Sequence, residues 1–387
     1  MSHRCENAAT LDAAPTVAPI GGARLSYLDG LRGMAICGVL LTHVGQAIPN
    51  APIAVDQFAR FGFRGVQLFF IVSAFTMFSA YTGRIFVAKD FYIKRFFRIA
   101  PMFYLAVVLY MALRGIIIPG QEFDSTVLKN LLLTVFFVHG LSPSAINDIV
   151  PGGWSIACEA LFYFIFPFLL AMLTTLKRAL VAAFAGVVAA VVSRLALSVL
   201  LAEWVEAEAL GRFIHFGFLT NLPAFLFGVV VYHLRASPLA DLLRPFANLG
   251  LLSALLLLCV IGAFGFGVLR NTLLASAVLA ALVFFATQAS WPIIDNPILR
   301  YTGKISFSIY LLHFVVLHGL DNAVVSLAGE GWLVAMVTLY VLVMAITAAL
   351  ASLTYRFVEA PMIDFAKTLS RKQSTAPVSA VSSSGKR

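Results

Sequence analysis

Polar positions in this chain arrive in short clusters between long apolar runs. From residue 25 onward those runs lie near 31–50, 62–82, 100–118, 154–174, 179–203, 212–234, 247–267, 271–291, 305–324 and 332–356. Most approach the roughly 20 apolar residues that carry an α-helix across a bilayer. A closed barrel needs alternating strands of about ten residues, and "LLSALLLLCVIGAFGFG" does not alternate. The pattern therefore predicts an all-α chain, a polytopic transmembrane helical bundle of ten spans. An eleventh run, 127–139, holds only about thirteen residues and is expected to be re-entrant or interfacial.

The polar clusters orient those spans. "GRIFVAKDFYIKRFFR" is strongly basic, so it and the amino terminus are expected on the cytosolic side. "YRFVEAPMIDFAKTLSRK" at the other end reads the same way, and two cytosolic ends require an even number of crossings. Ten spans place "LKR" at 176–178, "HLRASPLADLLRP" and "LRYTGK" inside and the acidic "EWVEAEALG" outside. A full crossing by 127–139 gives eleven spans and breaks that parity.

Composition agrees with this picture. The chain of 387 residues is 61% hydrophobic and 12% charged, against about 45–50% and 25% in soluble domains. Its net charge of +9 sits in the short segments between spans, so it reads as membrane topology and no nucleic-acid partner is expected. Residues 1–24, broken by Glu6, Asp12, Pro15 and Pro19, contain no continuous apolar stretch of a cleaved signal and are expected to form a disordered cytosolic leader. Residues 25–366 form the membrane domain, and 367–387, basic and rich in Ser, form a disordered tail; no room is left for a separate soluble domain. The four cysteines read as small hydrophobes. No repeat, phosphate loop or metal-ligand spacing occurs, so no metal is expected. His139, His215 and His233 fall near span ends, where interfacial positions are expected.

Candidate chemistry comes from polar groups inside the apolar runs, where they are costly. In "YLDGLRGMAICGVLLTHV", Arg32 and His43 are eleven residues apart. That is about three helical turns and about 16 Å along the axis, so both project from nearly one face. "KDFYIKRFFRIAP" sets Arg95 and Arg98 one turn apart at the start of the third span, a pair of forks suited to phosphate or pyrophosphate. "PGGWSIACEALFYFIFP" places Glu159 inside an apolar helix, with Ser155 and Tyr163 one turn to either side. Ser306, Tyr310 and His313 in "KISFSIYLLHFVVLH" form a polar stripe that faces a cavity or another helix. Arg356 and Glu359 in "YRFVEAPM" read as a structural clamp.

Taken in order, these stretches resemble the acyltransferase 3 family of integral-membrane O-acyltransferases, from residue 27 to about 361. "YLDGLRGMAICGVLLTHV" is similar to the family's first helix, with Arg, ten intervening residues and His. "GVQLFFIVSAF", "KRFFRIAPMFYL", "WSIACEALFYFIFP", "ISFSIYLLH" and "YRFVEAPM" resemble its later elements. Gln67 stands where many members carry Asp, and Ala74 where Gly is usual.

The resemblance implies transfer of an acyl group, usually acetyl, from cytosolic acyl-CoA to a hydroxyl of an envelope carbohydrate. The acceptor class would be O-antigen, exopolysaccharide, peptidoglycan or a lipid-linked glycan, at a bacterial inner membrane. Together with the spacing it implies donor phosphates on Arg95 and Arg98 with Arg32 nearby, and a pantetheine arm along the first helix. His43 would act as general base at the thioester. Glu159 would orient His43 or balance its imidazolium, while Ser306, Tyr310 and His313 bind the acceptor or the oxyanion. An acyl-histidine intermediate stays open. A transporter or flippase is the rival class, and a small secondary metabolite such as a macrolide the rival acceptor. Oligomeric state is not encoded in these patterns.

Overall fold

The computed structural model describes residues 26–117, 124–264, 268–289, 291–329 and 331–374. Among the described residues every regular element is helical. In chain order they are α1 (Ser26–Ala47), α2 (Ile53–Phe61), α3 (Gly65–Tyr81), α4 (Ala88–Ile117), α5 (Ser125–Val135) and α6 (Trp154–Met172). Then come α7 (Leu176–Leu200), α8 (Ala207–Phe216), α9 (Phe218–Leu234), α10 (Pro238–Leu243), α11 (Ala247–Phe264) and α12 (Val268–Ala286). The chain closes with α13 (Pro297–Lys304), α14 (Ser306–Ala328), α15 (Trp332–Thr354) and α16 (Ala360–Ser374).

Eight helices among the described residues are long and apolar enough to cross a membrane, each on one of the ten expected runs. The other two runs fall on α1 and α12. α1 has the length, 22 residues or about 33 Å, but Arg32, His43 and Gln46 dilute its apolar character. The short run 127–139 becomes α5, 11 residues and about 16 Å long, half the roughly 30 Å of hydrocarbon. The expected leader 1–24 lies outside the described residues. The expected tail does not begin at 367: α16 continues to Ser374, and the residues beyond it lie outside the described ones.

Helix starts are written locally. The Asp124 side chain accepts from Val127 N at 2.8 Å to cap α5, and the Asn296 side chain accepts from Leu299 N at 2.9 Å, with Pro297 opening α13. α1 is anchored at this point too. The Ser26 hydroxyl donates to Asp295 at 3.0 Å, and the Arg300 guanidinium beside Asp295 holds that carboxyl below its ordinary range.

α1 runs through the middle of the bundle and buries Leu31, Ile36, Val39 and Leu40 completely. Its approach to α13 is close enough that a Cβ on Gly303 would stand 1.7 Å from the Asp29 carbonyl. With little hydrophobic drive between helices in lipid, such small-residue contacts are what hold them together. α7 is peripheral by contrast, burying only Ala179, Ala183, Gly186 and Ala190 along one face.

Two details organise the site. Between α5 and α6 the chain is irregular, fixed by side-chain bonds to backbone: Asn147 accepts from Gly152 N at 2.8 Å, and His139 Nε2 donates to the Gly153 carbonyl at 2.9 Å. At the other end, α15 and α16 are joined by one π-helical turn, Tyr355–Glu359, which turns Glu359 into the bundle. His139 and His233 are buried, and each satisfies a backbone carbonyl; His233 donates to Leu173 O at 2.8 Å. His215 is half-buried.

Candidate active site

A cavity of about 650 Å³ opens between α1, α3, α4, α6, α14 and α16. It follows α3 from Ala80 to Val66, about 21 Å at 1.5 Å per residue. Its walls carry six cationic side chains, Arg32, Arg84, Arg95, Arg98, Lys304 and Lys367, against two carboxylates, Asp29 and Glu159. Val66, Phe70, Ile156 and Tyr310 make the far end apolar or aromatic. The shape suits a ligand with an anionic head and an extended uncharged arm.

The cations are held differently. Arg95 stacks 5.5 Å from the Tyr163 ring and 5.8 Å from the Phe91 ring, and its Nε is buried with no hydrogen-bond partner. Arg98 pairs with Glu359 at 2.8 Å; that carboxylate is 1% exposed and also accepts from Ser308. The expected clamp at the last span therefore exists, but Glu359 closes on α4 and not on Arg356. Arg32 reaches Asp29 and the Thr76 hydroxyl, each at 3.2 Å. Thr76 is five residues before the end of α3 at Tyr81, so Arg32 bonds α3 about 7.5 Å in from that end of the helix.

Glu159 also departs from expectation. Its carboxylate accepts from Ser73 at 2.9 Å and from the Tyr163 hydroxyl, among the cations of the cavity. It makes no contact with His43, so it does not orient that imidazole. A buried carboxylate settles where cations and hydroxyls solvate it, and here those lie on α3, α4 and α6.

At the inner end, the Tyr310 hydroxyl donates to the Gly152 carbonyl at 2.9 Å and accepts from Ser155 at 3.0 Å. Gly152 has φ of +79°, and a Cβ there would meet the Tyr310 oxygen at 2.9 Å, so both conformation and space demand glycine. Ser306 and Tyr310 line the cavity as the polar stripe predicted; the Ser306 hydroxyl donates to Gly303 O at 2.9 Å. His313 lies one turn beyond. Its Nδ1 donates to the Tyr310 carbonyl at 2.7 Å, which leaves Nε2 as the basic nitrogen, buried and without a partner.

His43 meets His313 there, with ring centroids 5.2 Å apart, and rests 4.4 Å from Phe314. Its Nδ1 faces Gln46 Oε1 at 3.1 Å, so its Nε2 is also the basic nitrogen. Arg32 thus borders the cavity and His43 does not. Arg32 meets α3 at Thr76 while His43 meets α14 at His313 and Phe314, and the Tyr310–Ser155–Gly152 cluster closes the space before it reaches the imidazole.

The acyltransferase domain model of the acyltransferase 3 family matches residues 25–356. The chain belongs to this family. A Staphylococcus aureus (strain COL) protein, provisionally named as an O-acetyltransferase, is 26% identical over 366 residues, covering 86% of this chain and 56% of that protein. The peptidoglycan O-acetyltransferase OatA of Listeria monocytogenes is 24% identical over 372 residues, covering 87% and 55%. The O-acetyltransferase OatA of Staphylococcus aureus (strain NCTC 8325 / PS 47) is 24% identical over 377 residues, covering 87% and 57%. The chain spans about half the length of these curated relatives. No solved structure matches it.

Sequence reasoning missed Arg84, Lys304 and Lys367 as cavity residues. Their signal was present, since all three lie in basic segments assigned to one membrane side. It also missed Gln46 beside His43, and Gly152, which "PGGW" carries in plain view.

Proposed function

We propose that the protein is a membrane O-acetyltransferase that draws an acetyl group from acyl-CoA in this cavity and passes it to a hydroxyl of a cell-envelope carbohydrate. The observation that carries the reading is the cavity itself: six cations around one shaft, ending at an aromatic gate backed by two basic imidazole nitrogens. In this reading the mouth faces the cytosol of a bacterial inner membrane. The names of the OatA relatives point to an envelope acceptor and an acetyl group.

The donor's phosphates rest on Arg95, with Arg84, Lys304 and Lys367 at the rim. Arg98, already paired with Glu359, shapes the wall and contributes less binding. The pantetheine arm runs past Arg32 toward Tyr310, which must swing aside for the thioester to reach the imidazoles. His43 Nε2 takes the proton of the acceptor hydroxyl as its oxygen attacks the thioester carbon. The carbon–sulfur bond breaks, the thiolate leaves with the donor, and the imidazolium returns its proton to the thiolate. Gln46 fixes the His43 tautomer. Tyr310 can donate to the developing oxyanion from the opposite side.

The test is transfer of labelled acetyl from acetyl-CoA to a carbohydrate acceptor by the purified full chain. Arg95→Ala is expected to raise the donor KM at least about tenfold, the loss of one charge-assisted contact. An unchanged KM overturns the donor site.

A further inference from the structure

The donor cavity approaches His43 from one side and stops at the Tyr310 cluster. The imidazole is not sealed elsewhere. His43 is half-buried, and Gln46 beside it is exposed. Phe314, the ring on which His43 rests, is also half-buried. It neighbours three imidazoles, with centroids 4.4 Å from His43, 4.2 Å from His313 and 6.3 Å from His318. The donor route makes no use of His318.

His318 is the unusual member of this group. It lies twelve residues after Ser306 and nine before Leu327, in a helix long and apolar enough to cross a membrane. Those spacings put it about 18 Å and about 14 Å from the two ends, well inside the thickness of hydrocarbon. Its side chain is nevertheless exposed. Its Nδ1 donates to the Phe314 carbonyl at 2.7 Å, which leaves Nε2 as a basic nitrogen. Among the described residues, Nε2 accepts from no protein group. A polar group at such depth faces water or a substrate path, because acyl chains leave it unsatisfied.

The surrounding groups narrow what that path carries. A basic nitrogen accepts from a hydroxyl, and Phe314 offers an apolar face beside it. A sugar ring matches both, with hydroxyls along its edge and C–H groups on its face. The phosphates of an acyl donor do not fit, since the next charged residue along α14 is the anion Asp321.

We propose that His318 is a positioning residue for the acceptor. Its Nε2 accepts from one sugar hydroxyl, the ring lies against Phe314, and a neighbouring hydroxyl is thereby held at His43 Nε2. This deepens the transferase reading and rests on it, since His43 is taken as the base. Donor and acceptor then reach the imidazole by separate routes.

The experiment measures acetyl transfer from acetyl-CoA by the purified full chain. The acceptor is the envelope carbohydrate extracted from cells lacking the protein, added in a dilution series. His318→Phe keeps a ring and removes the nitrogen. It should raise the apparent acceptor KM about three- to tenfold, the loss of one hydrogen bond. Transfer at saturating acceptor should fall by less. Affinity for acetyl-CoA, which also reports folding, should match the wild type. His318→Gln, whose carboxamide oxygen can replace Nε2 as acceptor, should recover most of the KM. A structural role predicts the reverse order, with Phe tolerated and Gln not.

A wild-type acceptor KM in His318→Phe overturns the proposal, as does a loss that His318→Gln shares in full. Should His318→Phe not fold, His318→Ala and His318→Gln must still differ in acceptor KM. His43→Ala in the same assay tests the reading beneath. Transfer that survives it removes the base and leaves the His318 comparison standing. A wild type that acetylates nothing in the extract overturns both.

Discussion

Arg95 and Arg98 are three residues apart and do different work. Arg95 offers its guanidinium to the cavity, resting on aromatic rings. Arg98 has committed a nitrogen to Glu359. Arg95→Ala is therefore a binding variant. Arg98→Ala is a stability variant, because it strands a carboxylate that is 1% exposed. Breaking a buried pair from one side costs about 3–5 kcal/mol, so its thermal midpoint should drop well below that of Arg95→Ala. Adding Glu359→Gln should recover most of the loss; no recovery would show that Arg98 is needed for something other than Glu359. At this scale the sequence identified which residues are unusual, since Arg32, Glu159 and Tyr310 are costly in hydrocarbon wherever they point. It could not say who meets whom. Glu159 finds Ser73, 86 positions away, and leaves His43 to Gln46 on its own helix.

At the scale of elements, apolar runs of span length were legible because a lipid-compatible helix must be apolar over its whole length. The segment between α5 and α6 was not legible, because side-chain bonds to backbone and one glycine determine it, not periodicity. Gly152 is the sensitive point. Gly152→Ala forces a side chain onto a left-handed backbone, at about 1–2 kcal/mol, and pushes Tyr310 off its carbonyl. Activity should fall more than stability, and equal losses in both would remove the gate role from this turn. The tie between α1 and the approach to α13 makes a pH prediction. Its Asp295 carboxyl titrates lower in the folded state than in the unfolded one, so its stabilisation is present above the unfolded pKa and disappears as pH falls through the folded value. Asp295→Asn should lower the thermal midpoint at neutral pH, and that gap should begin to narrow below about pH 4 and vanish once pH is below the folded value. A gap independent of pH would assign the effect to packing.

For the molecule as a whole, basic segments distant in sequence meet around one cavity mouth. Arg84 and Arg95, Lys304, and Lys367 come from three such stretches, which a single-sided charge rule brings together. This is why the charged pattern carried functional information before any coordinates. The depth of the cavity and its closure by Tyr310 were not in that pattern, since both depend on how α6 and α14 cross. A ten-span arrangement would put residues 206 and 367, both exposed, on opposite faces of the membrane. In a background without native cysteines, Glu206→Cys should react with an impermeant thiol reagent in intact cells, and Lys367→Cys only after permeabilisation. Labelling of both from one side would contradict the topology.

The central claim is that a donor bound among these cations gives up its acyl group at His43. It is tested most directly by measuring, in one His43→Ala preparation, both the affinity for acetyl-CoA and the transfer of its acetyl group. The account predicts wild-type affinity with no transfer. Transfer at the wild-type rate, or an affinity lost along with transfer, would contradict it.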